Sequence, residues 1–514
     1  MDRSPLNGLA SAPSRWFDAR MIVTSAAMRE LEAEAIRQGH DEARLMEAAA
    51  AGIVAVASRW FRAPGRCVVF AGKGNNGGDV LVAGRMLEER GWQVDAVPVY
   101  AADELSPVAR ERQHEFLAAG GRLREAIAPA TADLVLDGLL GTGARGALRG
   151  PLGAAAEAIA TLRAAGARVL SADLPSGLDP DSGEAPEGTV VADCTVAIGR
   201  AKMGLFSDEA GAFTGSIEVI ALPGVPPAAP TGSETLFTRA ELARLIPRPA
   251  LDAHKGDCGR VGIVAGSVGF AGAAVLAASG ALCAGAGLVT VFVPPDVYPV
   301  VASAAPPEAM VRPCTDPAGA ASAASLDAIA VGPGLGFAHR ESVLRLIAEF
   351  PGPAVIDADA LTALASAPET LHRAVGARVL TPHPGEMARL FPCREGWSRL
   401  EWGTAWAADN PGVLLLKRPR TLIVARGMPA VHNTTGNPGM AAGGMGDVLT
   451  GILAALLGRG IAPREAAVLG AWLHGRSADL LVHRDGVSEE GLTASDVARG
   501  LGEALRDLRR PLKG

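Results

Sequence analysis

Residues 433–451 carry the chemistry most legible in this chain of 514 residues. Gly443, Gly444 and Gly446 lead straight into an apolar, helix-forming run at 448–457. Glycines let the backbone turn tightly and approach a ligand closely. The arrangement aims free backbone N–H groups and a positive helix end at an anion, and a phosphate fits best. Asp447 stands at the mouth of the same turn. A carboxylate there repels a phosphate unless it has a task, and the natural task is to take a proton from a hydroxyl that attacks phosphorus. The competing reading is a helix-terminal charge, commonly worth about 0.3–1 kcal/mol.

A second set of motifs lies near the N-terminus. The run 72–79, Gly-Lys-Gly-Asn-Asn-Gly-Gly-Asp, follows an apolar strand and satisfies the G-x-G-x-x-G pattern of a dinucleotide loop. It differs from an ordinary dehydrogenase loop. Two carboxamides and a carboxylate load it, and the next strand carries Asp95 in its interior in place of an acid at its end. A glycine turn at 137–146 and the run 173–179, Asp-Leu-Pro-Ser-Gly-Leu-Asp, follow two further strands. Acids, amides and backbone donors thus converge. Oxygen ligands from Asn76, Asp137 and Ser176 suit a hard cation, and their low charge favours a monovalent one.

Those motifs need strand ends to hold them. Apolar β-type runs at 67–71, 93–100, 134–136, 169–172 and 195–198 alternate with helical runs, as do later ones at 261–265, 288–293, 328–331, 354–356, 379–381, 413–417 and 421–424. Such a pattern predicts an α/β chain with parallel sheets covered on both faces and active sites at the carboxyl ends of the strands. The proline-rich stretch 223–234 reads as a linker. Four segments are expected: an extension at 1–23, a first domain at 24–222, the linker, and a second domain at 235–514. Helical periodicity over 26–60 suggests a helical arm on the first sheet.

Composition narrows the function. A net charge of −7 with no basic run argues against a nucleic-acid surface. The uncharged stretch 268–295 contains many glycines and alanines and a strand, so it reads as a buried helix and strand, not a membrane span. Six dispersed cysteines without a CxxC pair point to reduced thiols and a cytoplasmic protein. Lysine is scarce: Lys73, Lys202, Lys255 and Lys417 all sit in glycine-rich motifs, and Lys513 is the only other.

Residues 28–222, with GNNGGD, DGLLGTG and DLPSGLD in that order, resemble the NAD(P)H-hydrate epimerase family. The resemblance implies a Rossmann-like three-layer αβα domain. It implies substrate contacts at Asn75, Asn76, Gly77, Gly78, Asp79, Gly141, Thr142, Gly143, Ala144, Arg145, Gly146, Ala147 and Asp173, and K+ ligands at Asn76, Asp137 and Ser176. Val80 departs from the family, which usually has glycine there. Lys202 matches a further family segment. In a hydrated nicotinamide the hydroxylated carbon also bonds nitrogen, so its configuration is lost and regained by ring opening or by loss of water. Asp173 is chosen as the acid–base group that moves the proton.

Residues 236–505, with HKGxxG, GPGLG, DADAL, TPHPGE and NPGMAAGGMGD in order, resemble the ADP-dependent NAD(P)H-hydrate dehydratase family, a branch of ribokinase-like folds. The resemblance implies a three-layer αβα domain in which Ala273, Gly336, His383 and Asp447 touch the hydrated cofactor, while Lys417, Arg418, Pro419, Arg420, Thr421 and Gly446 hold the adenine nucleotide. It also implies Mg2+, ADP as co-substrate, and a homo-oligomer. A lone histidine is more often structural, and the prolines flanking His383 suit a rigid turn; at a strand end among glycine motifs it reads as a substrate contact. The two resemblances together imply repair of hydrated cofactors: epimerisation of (R)- and (S)-NADHX or NADPHX, then ADP-dependent dehydration of the S form. A different pairing stays open, a ribokinase-like small-molecule kinase fused to a non-catalytic Rossmann-like binding module.

Overall fold

The computed structural model describes residues 22–125, 132–143, 145–225, 233–246 and 248–510. Most of the expected extension and linker, and Ala144 of the expected site, lie outside these.

Two large sheets organise the chain. The first has seven parallel strands in the order Arg122–Leu123, Gln93–Pro98, Arg66–Ala71, Leu134–Gly138, Arg168–Ala172, Cys194–Ile198 and Ser216–Ile220. Strand order reverses beside Arg66–Ala71. The chain leaves that strand toward one edge and returns as Leu134–Gly138 on its other side, and this reversal opens a crevice at the carboxyl ends. The loops 72–79 and 139–146 both start there.

The second sheet has ten strands, with Arg260–Val264 between Ala328–Val331 and Leu288–Val293 at its reversal. Ala354–Ile356, Arg378–Leu380 and Val413–Leu416 continue it in parallel. The expectation of parallel pairing fails at the next strand. Leu422–Ala425 runs antiparallel to Val413–Leu416, because the five residues between them are too few for a crossover. Ala430–His432 pairs antiparallel beyond it, and Glu234–Thr235, which begins at the last residue of the expected linker, closes that edge.

The expected arm is two helices, Ser25–Arg37 and Glu42–Trp60, broken at Gly39, whose φ is +92°. The uncharged stretch becomes the helix Ala271–Cys283 and the buried strand Leu288–Val293. No described helix is long and apolar enough to cross a membrane. Ala271–Cys283 packs on Met445–Gly458 through small residues, so that a Cβ on Gly451 would overlap the Ala277 carbonyl and one on Gly280 the Val448 carbonyl. This close approach sets where the helix carrying Asp447 begins.

Candidate active sites

In the first crevice, the end of Arg168–Ala172 places Asp173 in the left-handed region, φ +66°. Aspartate tolerates that region better than most residues, and such strain concentrates at functional sites. Its carboxylate Oδ1 accepts from the Lys202 ammonium and from the Ile198 N–H at 3.1 Å. Lys202 is wholly buried and also donates to the Ile198 carbonyl at 2.8 Å. Glu32 and Asp79 face the same lysine. Burial raises both carboxyls, reinforced by Asp173. Asp79 keeps some exposed surface although protein surrounds it. The cluster therefore sets two carboxyls whose pKa burial raises beside the Asp173–Lys202 pair.

Next to it, Asp137 is fully buried. Its Oδ1 accepts from Ser176 Oγ at 2.6 Å and Leu139 N at 3.2 Å, and its Oδ2 from Ser171 Oγ at 2.7 Å and Ser176 N at 3.0 Å. Burial lifts the pKa, and these hydrogen bonds oppose the rise. Among the described residues no cationic side chain answers this carboxylate. The Asn76 amide reaches the Leu140 and Ala172 carbonyls at 2.8 and 3.1 Å, and Ser176 Oγ lies 3.4 Å from the same Leu140 carbonyl. A carboxylate, a hydroxyl, a carboxamide and two main-chain carbonyls are thus linked in one hydrogen-bond network, and their oxygens are of the kind that suits a monovalent cation.

The remaining loop residues line the crevice. Asn75 donates to Glu42 at 3.1 Å. Gly77 packs on the Gly72 carbonyl and Gly78 on Met46, too closely for a Cβ. Gly141 lies against Asn76, with Thr142 and Gly143 beyond it, and Gly146 and Ala147 are exposed. Arg145 is tied to Asp179 at 3.0 Å and Asp181 at 2.6 Å. Val80 turns into the core against Gly138, so it does not meet the ligand side of the loop. Asp95 is bound by Arg66, Arg122 and Arg124 and serves structure.

In the second sheet, the Gly444 backbone (φ +85°) turns into the helix Met445–Gly458, where Gly446 and Asp447 fall in the first turn. The first N–H groups of any helix lack intrahelical partners. Burial raises Asp447 to about 6, Asp357 adds to the rise, and Lys417 opposes it. Lys417 donates to Asp357 Oδ1 at 2.8 Å, and Thr450 of the same helix donates to Asp357 Oδ2 at 2.7 Å. Burial pulls Lys417 down, but Asp357 and Glu386 outweigh it and leave the ammonium above its usual range. Gly446 lies against both Lys417 and Asp357.

His383 caps the helix Pro384–Leu390: its Nδ1 accepts from Gly385 N at 3.0 Å and Glu386 N at 3.4 Å. The structural role is thus real, and about half of the side chain stays open to solvent. Gly336 (φ +71°) donates to Asp359 at 2.8 Å. Ala273 stands in the first turn of its helix, against Gly334. Of residues 417–421, Lys417 faces Asp447, while Arg420 is buried and points toward the first sheet.

The sequence matches agree with both crevices. A family model described as NAD(P)H-hydrate dehydratase matches residues 261–499, and one described as YjeF-related protein N-terminus matches 42–204. The bifunctional NAD(P)H-hydrate repair enzyme Nnr of Moorella thermoacetica is 38% identical, over 96% of this chain and 98% of that protein. The chain belongs to the bifunctional NAD(P)H-hydrate repair enzymes. The Escherichia coli repair enzyme Nnr is 35% identical, over 84% of this chain and 83% of that protein. Among solved structures, the ADP/ATP-dependent NAD(P)H-hydrate dehydratase of Bacillus subtilis, co-crystallised with ATP and Mg2+, is 29% identical, covering 53% of this chain and 98% of its own, with a TM-score of 0.47.

Within this repair family, the chain carries both an epimerase half and a dehydratase half. Two residues with evident work, Asp357 and Lys202, lie in motifs noted from sequence but were assigned no role there. Asp357 ends a strand inside DADAL, and Lys202 is one of only five lysines, so each had a signal.

Proposed function

We propose that residues 24–222 interconvert (R)- and (S)-NADHX or NADPHX at the Asp173–Lys202 crevice, and that residues 235–514 dehydrate the S form at Asp447. The carrying observation is the partly buried Asp447 carboxyl at a helix start, with the Lys417–Asp357 pair beside it. Asp447 takes the proton of the ring hydroxyl as that oxygen attacks the terminal phosphorus of ADP, and AMP leaves. Backbone N–H groups of 443–446 and the Lys417 ammonium stabilise the moving phosphoryl group. The ring nitrogen lone pair then expels phosphate, and loss of a ring proton restores NADH. His383, Gly336 and Ala273 border the ring; residues 417–421 and Gly446 hold the nucleotide.

Magnesium would arrive with the nucleotide and would neutralise charge on its phosphates. In the epimerase crevice Asn76, Asp137 and Ser176 would hold K+, which neutralises the buried carboxylate and fixes the turn. Six free cysteines suit a reducing cytoplasm.

The test is to incubate the protein with mixed NADHX epimers, with and without ADP. Complete recovery of NADH absorbance with stoichiometric free phosphate, dependent on ADP, is expected. A released phosphate ester without NADH would identify a plain kinase. Recovery halting once the S form is spent would identify a non-catalytic first half.

A further inference from the structure

The loop beyond Lys417 is bound by Arg399 of its own half and, through Arg399 and Arg420, is tied to the other half of the molecule. Arg399, the first residue of the helix Arg399–Asp409, donates from Nη1 to the carbonyls of Pro419 at 2.7 Å and Arg420 at 2.5 Å. The same guanidinium reaches the Phe206 carbonyl at 3.4 Å, and its Nε lies 3.1 Å from the Asp208 carboxylate. Arg420 is in the left-handed region, φ +62°, and its Nη2 donates to Thr214 Oγ1 at 2.6 Å. Asp208 is also 3.9 Å from Arg418. Phe206, Asp208 and Thr214 all belong to the segment 203–214, which leads into the strand Ser216–Ile220 of the first sheet.

A non-glycine residue at positive φ persists only where its surroundings over-determine it. Here they do: two carbonyls of the loop are bound by one guanidinium, and its third side chain is bound by a buried hydroxyl. Burial holds the Arg420 guanidinium down to about 10, so losing its hydroxyl partner would be felt. A loop fixed before its ligand arrives does not pay ordering entropy on binding.

We propose that Arg399 and Thr214 are positioning residues for the nucleotide: Arg399 through the Pro419 and Arg420 carbonyls, and Thr214 through the Arg420 side chain, tie the 418–421 loop to the first half, so that the affinity of the dehydration site for ADP is set partly by the epimerase half. The proposal rests on reading 417–421 as the nucleotide loop.

The experiment uses the full chain and Mg·ADP. Thr214→Val, Thr214→Ser, Arg418→Ala and Asp208→Ala are compared by calorimetric ADP titration and by the ADP dependence of (S)-NADHX dehydration. Thr214→Val should raise Kd and KM for ADP about 5–20-fold, with kcat and epimer exchange within about twofold, because only the ordering of the loop is lost. Thr214→Ser, which keeps the acceptor, should stay within about twofold. Arg418→Ala alters the loop itself and should weaken ADP. If Arg418→Ala weakens ADP and Thr214→Val does not, the clamp is wrong even where Tm falls. If neither weakens it, the loop assignment fails and the proposal with it. Should Thr214→Val not fold, the half-exposed Asp208→Ala decides: a rise in Kd of about two- to threefold supports the clamp, and an unchanged Kd overturns it.

Discussion

Lys417 donates to one oxygen of Asp357 while Thr450, one turn into the helix that starts at Gly444, donates to the other. One carboxylate therefore ties the nucleotide-loop lysine to the helix that carries Asp447. Both charges act on Asp447 with opposite sign, Asp357 raising its pKa and Lys417 lowering it, on top of the larger effect of burial.

The first consequence is a pH profile. Asp447 accepts a proton only when ionised, and its pKa is raised to about 6. In the free enzyme, kcat/KM for dehydration should fall about tenfold per pH unit below 6 and level off above it. Asp447→Asn should lower kcat about 10²–10⁴-fold and leave epimer exchange intact. A profile flat down to pH 4 would remove Asp447 from the role of base.

Changing its neighbours should move that limb in known directions. Lys417→Met removes the charge that lowers Asp447, so the limb should shift to higher pH; Asp357→Asn removes one that raises it, so the limb should shift to lower pH. Both variants should also weaken ADP, by loss of a cation near the phosphates or of the group that orients it. Profiles measured at saturating ADP separate the two effects, and equal shifts of the same sign would exclude this electrostatic account.

How much of this was legible in the residues differs by position. Asp447 and the glycines before it were readable because a turn, a helix start and an acid coincide within a few residues. The antiparallel strand Leu422–Ala425 was not, since an apolar run of four has no direction of its own; only the five-residue connection determines it. The strands Ser216–Ile220 and Ala309–Pro313 went unread because neither is a continuous apolar run: Glu218 lies inside one, and Arg312 and Pro313 inside the other. Arg420 shows a further limit. Its motif places it with the nucleotide, and only the packing of the two halves turns its side chain toward Thr214.

The epimerase crevice offers its own test at Lys202. This lysine is the basic partner of Asp173 and has almost no exposed surface. Lys202→Met leaves a nearly buried carboxylate without its cation, which costs about 3–5 kcal/mol when a buried pair is broken, and removes the donor that positions Asp173. Epimer exchange, followed by chromatographic separation of R and S forms, should slow by about 10²-fold or more. Dehydration of pure (S)-NADHX by the folded variant should continue. Undiminished exchange would place the acid–base work elsewhere, with Asp79 the next group to substitute.

The last prediction concerns the helix pair that locates Asp447. Gly451 lies one turn after Asp447, and a Cβ there would overlap the Ala277 carbonyl, a main-chain atom inside Ala271–Cys283. Neither helix can yield locally, because Gly280 makes the reciprocal approach to the Val448 carbonyl. Gly451→Ala should therefore force the helices apart and destabilise the fold by about 1–3 kcal/mol, despite alanine's better helix propensity. The displaced helix start should also misplace Asp447, and shifts of about 1 Å at a reacting group cost on the order of 10²-fold in rate. Alanine at Gly502, which has open space around it on the helix Ala494–Arg509, provides the control: there propensity alone acts, and stability should hold or rise slightly. Thermal unfolding of both variants beside the dehydration rate checks the argument, and a Gly451→Ala protein as stable and active as the parent would show that the two helices are not fixed by this contact.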